Sequence, residues 1–94
     1  MFQINLKFTD TDMLYSLELK LSAIKDLKSL DRKEALRITE KLKALENNLS
    51  GNVKKLTNFI PEYRLRAGDY RVLFGVEGQK VIVYRIKHRK EAYR

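Results

Sequence analysis

The chain has no cysteine and a single histidine. The first absence excludes disulfides and thiolate metal sites, and the second excludes a multi-histidine metal centre, so neither a metal nor another cofactor is expected. No apolar run approaches the ~20 residues that a membrane span requires. The opening stretch, MFQINLKFTDTD, lacks a basic start followed by an apolar segment, so it does not read as a secretion signal. A cytoplasmic protein that does not engage membranes is the expectation. There are also no repeats, no low-complexity stretch and no linker.

What is present fits one small domain. The 94 residues are 44% hydrophobic and 34% charged, enough apolar material for a single core. Lysine and arginine outnumber the acids to give a formal net charge of +8. Such an excess favours a polyanionic partner, either nucleic acid or an acidic protein.

Apolar residues alternate with polar ones over 2–8, and again from Tyr15 to Leu21, with turn formers at 9–12 between. Residues 1–12 are therefore either an added edge strand or an upstream extension, and 13–94 form the domain. Ser22 is the predicted N-cap of a helix carrying Ala23, Ile24, Leu27 and Leu30 on one face. Asp31, with Glu34 three residues on, has the spacing of a capping box for a second helix. That helix carries Ala35, Ile38, Leu42, Leu45 and Leu49, and it should end at Asn47-Asn48. Three strands follow, at Tyr63–Ala67, Tyr70–Val76 and Val81–Lys87. Gly68-Asp69 suits the first turn. The predicted fold is α+β, with a helical hairpin on one face of a small, mostly antiparallel sheet, in the order β-α-α-β-β-β.

A two-residue turn at Gly68-Asp69 pairs Arg66 with Arg71, Leu65 with Val72 and Arg64 with Leu73. One face then carries Tyr63, Leu65, Val72 and Phe74 toward the helices, and the other collects Arg64, Arg66 and Arg71. Like charges directly opposite one another repel, unless an anion bridges them. For the next hairpin, a three-residue loop at Gly78–Lys80 sets Arg85 opposite Leu73 and Lys87 opposite Arg71, and keeps Ile82, Tyr84 and Ile86 in the core. A two-residue loop reverses that parity.

Tyr63-Arg64-Leu65-Arg66, then Gly68-Asp69-Tyr70-Arg71-Val72, an apolar strand, His88-Arg89 and finally Tyr93 form an ordered series. With the amphipathic stretch Leu21–Leu30, the series resembles the RelE/ParE superfamily of toxins over about residues 14–94. The resemblance implies the toxin of a type II toxin-antitoxin system, held inactive by a cognate, acidic antitoxin. RelE-like members cut mRNA in the ribosomal A site, without metal. A ribose 2′-OH attacks the adjacent phosphate, which needs a base, charge stabilisation at phosphorus and an acid for the leaving oxygen. By the same resemblance Arg71, His88 and Tyr93 are the catalytic candidates. Arg71 would stabilise the transition state, His88 would move protons, and Tyr93 would stack on a base or share in proton transfer. Arg64, Arg66, Arg85, Lys87 and Arg89 would hold phosphates. A ParE-like gyrase inhibitor with the same fold but no nuclease site is the second reading. A non-catalytic module that grips RNA or an acidic protein is the third.

Overall fold

The computed structural model describes residues 14–92. The possible edge strand or extension at 1–12, and Tyr93, lie outside the described residues. The elements are β1 (Ser16–Leu19), α1 (Leu21–Lys28), α2 (Arg32–Leu45), β2 (Val53–Lys55), β3 (Tyr63–Ala67), β4 (Tyr70–Glu77) and β5 (Lys80–His88). The strands form one sheet in the order β1-β5-β4-β3-β2. Only the β1–β5 pair is parallel.

Apolar spacing marks both helices, and a side-chain cap opens the second. In α2, Asp31 accepts a hydrogen bond from the Glu34 N–H at 2.9 Å, as the Asp-x-x-Glu spacing predicts. Glu34 does not bond back to close the box; its carboxylate lies 3.7 Å from Arg37. Ile38, Leu42 and Leu45 are buried on one stripe of this helix. The chain leaves it through Asn48 and Leu49, both with φ near +55°, which stops further helical turns.

The start of α1 differs from the expectation. Lys20, not Ser22, occupies the N-cap position and makes no side-chain cap. Ser22 lies within the helix and donates to the Tyr84 carbonyl at 2.9 Å. This bond has a sheet-level purpose. β1 pairs with β5 only over residues 80–83, so the rest of that β5 edge would present unpaired backbone groups. Side chains of α1 take over, with Ser22 on Tyr84 O and Asp26 accepting the Ile86 N–H at 2.8 Å.

The core lies between the helices and the near face of the sheet. Phe74, Ile38, Leu45, Leu65, Val72, Val81 and Val83 are fully buried there. Tyr63 stacks on Phe74 with centroids 5.4 Å apart. Each such side chain stabilises the fold by roughly 1.5–3 kcal/mol relative to exposure.

The β3–β4 register is the predicted one, with Arg66 opposite Arg71. The β4–β5 register also sets Arg85 opposite Leu73 and Lys87 opposite Arg71, by a different route. The turn has two residues, since Glu77 pairs with Lys80, and a β-bulge between Leu73 and Phe74 leaves Tyr84 as the extra residue on β5. The predicted three-residue loop is therefore corrected. Its core assignment changes in part: Val81, Val83 and Ile86 belong to the main core cluster, Ile82 is buried outside that cluster, and Tyr84 is half-buried. The short strand β2, which pairs Lys54 with Arg64, was not predicted.

Candidate functional site

Residues paired across neighbouring strands share a face of the sheet. The register therefore builds two rows on the face away from the core. One row is Arg66–Arg71–Lys87, and the other is Lys54–Arg64–Leu73–Arg85. An open groove of about 580 Å³ runs over these rows, lined by Lys54, Leu56, Thr57, Phe59, Arg64, Arg66 and Arg71. Four of its seven lining residues are cations and none is an acid, so the groove attracts anions.

One arginine in the groove is set in place by the backbone. The Arg71 guanidinium donates through Nη1 to the Gly68 and Tyr70 carbonyls, at 2.9 and 3.0 Å. Gly68 has φ near +62°, a conformation that turns its carbonyl at little steric cost. Arg64 is half-buried, and its Nε is shut off from water with no hydrogen-bond partner among the described residues. A buried donor without an acceptor costs about 1–3 kcal/mol. The groove that Arg64 lines suits a phosphate, because charge-assisted bonds to guanidinium groups are strong. Phe59 adds an aromatic surface at the groove wall, on which a base can stack.

Lys54, Thr57 and Phe59 were not among the candidates from sequence. They come from β2 and the connection that follows it, residues 56–62. The Lys54-Lys55 pair and the aromatic beside Asn58 were the only local signals.

The other predicted residues are not gathered here. Arg85 stands in the second row, but its guanidinium is held by Asp26 of α1 in a two-point ion pair, Nε to Oδ2 at 2.7 Å and Nη2 to Oδ1 at 3.0 Å. Burial raises the Asp26 pKa, but the Arg85 and Ile86 hydrogen bonds and the charges of Arg85 and Lys87 outweigh it, so the carboxyl lies below its ordinary value. The same bond raises the Arg85 pKa. This pair is structural, fastening α1 to β5 beside the bulge.

His88 pairs with Tyr70, which packs against the core. Register thus puts it on the helix-side face, one residue beyond Lys87 and opposite in parity to Arg71. Its ring meets Tyr70 edge-on at 5.4 Å. Its Nδ1 accepts from the Lys90 N–H at 3.2 Å, which leaves Nε2 as the protonated nitrogen of the neutral ring. Arg89 is exposed, and its N–H bonds the Asp69 carbonyl at 2.7 Å, tying the tail to the β3–β4 turn. Ala92 is buried. Among the described residues no three His, Cys, Asp or Glu side chains are grouped so as to hold a metal ion, and no helix is long and apolar enough to cross a membrane.

Comparison with known proteins agrees with this architecture. Residues 17–93 match the family described as ParE toxin of type II toxin-antitoxin system, parDE. A relative named Toxin RelE3, from Methanocaldococcus jannaschii, is 38% identical over 47 residues, a stretch covering 50% of this chain and 53% of the relative. The chain thus matches about half the length of that relative. The RelE–RelB complex of Pyrococcus horikoshii OT3 contains a chain with TM-score 0.68 and 28% identity, over 85% of this chain and 100% of that one. The RelB–RelE antitoxin-toxin complex of Methanococcus jannaschii gives 0.67 and 29%, over 80% and 93%.

Proposed function

The chain belongs to the ParE toxin family of type II toxin-antitoxin systems, and from that premise we propose that it is a RelE-like toxin that cleaves mRNA on the ribosome. The observation that carries this reading is the acid-free groove lined by Lys54, Arg64 and Arg66, with Arg71 fixed by two carbonyls. A site built to inhibit a protein needs no such arrangement. A site that stabilises a dianionic phosphorane does.

In the proposed reaction Arg64, Arg66 and Lys54 hold the flanking phosphates, and Arg71 faces the scissile one. Attack of the 2′-oxygen on phosphorus gives a 2′,3′-cyclic phosphate and a free 5′-OH, with one proton removed and one returned. Arginine stays protonated and supplies neither step. By the family resemblance the proton transfers fall to His88 and Tyr93, with His88 placed by the register on the other face of the sheet. Lys87 and Arg89 add charge beside them.

Both archaeal structures hold a toxin with its antitoxin. The corresponding partner here is an acidic antitoxin segment laid over the cationic face. The position of His88 on the opposite face favours one second reading: a ParE-like inhibitor of DNA gyrase, which needs no proton-transfer group in the groove.

Mapping of mRNA 5′ ends with programmed ribosomes tests the proposal. Wild-type protein should give defined cuts, and Arg71→Ala should lower cleavage about 10²- to 10³-fold with the fold intact. Uncut mRNA, together with loss of supercoiling in a gyrase assay, would overturn it in favour of the second reading.

A further inference from the structure

The arginine face carries a second, chemically different recess. It has a volume of about 260 Å³ and is walled by Ile60, Pro61, Gly75 and Tyr84, with Glu62 and Glu77 at its rim. No cation lines it, in contrast to the neighbouring groove.

Three observations join this recess to the groove. First, Gly75 follows Arg71 and Leu73 in the alternation of β4, so it stands on the same face of the sheet. Second, the connection between β2 and β3 walls both: Leu56, Thr57 and Phe59 line the groove, while Ile60, Pro61 and Glu62 line the recess. Third, four residues of strand separate Arg71 from Gly75, about 14 Å. An RNA strand gripped by phosphate at Arg71 can therefore reach the recess with a base of a neighbouring nucleotide.

The recess has the shape of a base slot. Gly75 has no side chain, and the Tyr84 ring lies close over it; a Cβ at Gly75 would stand 3.4 Å from Tyr84 Cε2. Tyr84 is also the extra residue of the bulge, and bulges re-aim side chains. Pro61 and Ile60 form the apolar wall, and Ile60 is 93% exposed. A planar ring has an aromatic face to stack on and an aliphatic lip beside it.

The rim decides which ring. Two carboxylates repel phosphate and accept hydrogen bonds from N–H groups. Guanine presents two adjacent donors, N1–H and the 2-amino group, which match one carboxylate. Uracil presents a single N–H flanked by two carbonyl oxygens, which a carboxylate repels. We propose that Tyr84, Pro61, Glu62 and Glu77 form a nucleobase subsite that selects guanine over uracil in the RNA held by the arginine groove. This inference rests on the RNA-cleaving reading for its biological use, but its binding chemistry is measurable without cleavage.

The test is a titration of the purified, isotope-labelled protein with guanosine 5′-monophosphate, uridine 5′-monophosphate and ribose 5-phosphate, followed by amide chemical shifts. Guanosine monophosphate should move amides at Gly75, Val76, Glu77 and Tyr84 as well as those around Arg71. Ribose phosphate should move only the Arg71 group. Tyr84→Ala should weaken guanosine monophosphate binding between about 5- and 150-fold, the range of one base stack, with Tyr84→Phe restoring it. Glu62→Gln with Glu77→Gln should reduce the guanine-over-uracil ratio while leaving ribose phosphate binding unchanged or tighter. Should the tyrosine variants unfold, the double glutamine variant, altered only at exposed rim positions, still gives the answer. Amides at Gly75 and Tyr84 that ignore every nucleotide would overturn the subsite, whether or not the protein cuts mRNA. Slot shifts in a protein that never cuts mRNA would uphold the subsite and refute the nuclease reading alone.

Discussion

Replacing Asp26 with alanine should destabilise the protein by about 2–3 kcal/mol at neutral pH, and the cost should shrink in acid. The Asp26 carboxylate accepts three hydrogen bonds: two from Arg85, at 2.7 and 3.0 Å, and one from the Ile86 backbone N–H, at 2.8 Å. Its side chain is only 17% exposed, whereas that of Arg85 is 43% exposed. Water therefore screens much of the ion pair, whose share is discounted to under about 1 kcal/mol. The larger share is the Ile86 N–H, a backbone donor on a sheet edge that no strand covers; leaving it unpaired costs about 1–3 kcal/mol. Because the Asp26 pKa is depressed in the folded state, its stabilisation is fully present above the unfolded carboxyl value, about 3.9. It is lost as pH falls through the lower, folded value. Urea denaturation followed by circular dichroism at neutral pH and over a series of falling pH values measures both parts. Asp26→Asn, which keeps one acceptor oxygen, should fall between the wild type and alanine. An Asp26→Ala penalty below 0.5 kcal/mol on the order of measurement error, or one that stays constant into acid, would refute this account of how α1 is fastened.

Other expected outcomes follow from the same geometry. RNA affinity should fall with salt at a log–log slope of about −3 for the four groove cations, and Arg66→Ala should make it shallower by about 0.7. His88→Ala should lower cleavage by about 10²-fold or more; unchanged cleavage would assign proton transfer to the ribosome. Gly51→Ala should lower the urea midpoint by the equivalent of about 1–3 kcal/mol, because φ is +125° there and a new Cβ would stand 2.9 Å from Leu65 Cδ1 in the core; a midpoint within error of wild type would count against this packing.

The part of the site that rests on local chemistry was legible in the sequence. Gly68-Asp69 dictates a two-residue turn, the turn dictates that Arg66 faces Arg71, and alternation then puts Arg64 beside them. The next hairpin shows the limit of that reasoning. An extra residue in the loop and an extra residue in the strand give the same parity further on. Periodicity therefore found the register of Arg85 and Lys87 while assigning half-buried Tyr84 to the core and leaving out Val81 and Val83. The roles of Ser22 and Asp26 depend on where β1 stops pairing with β5, a tertiary fact without a local signal. Strand β2 is three residues long and too short to show a period. Its absence from the sequence reading is why Lys54 and Phe59 were missed. The parity of His88 follows from the same register that aligned Arg71 with Lys87, since adjacent residues of a strand point to opposite faces.

The strand order carries a consequence for how the molecule comes into being. β5 is translated after the other four strands, yet it lies between β1 and β4. Until it arrives, β1 has no strand to pair with, α1 has no edge to seal, and the Arg66–Arg71 row lacks Lys87. Contacts that join distant parts of a chain form slowly, because loop closure must come before the contacts that repay it. A nascent chain that has reached Gly78 thus carries the groove arginines but not the strand that completes their face. The row that ends in Lys87 is completed only by the last strand to be made.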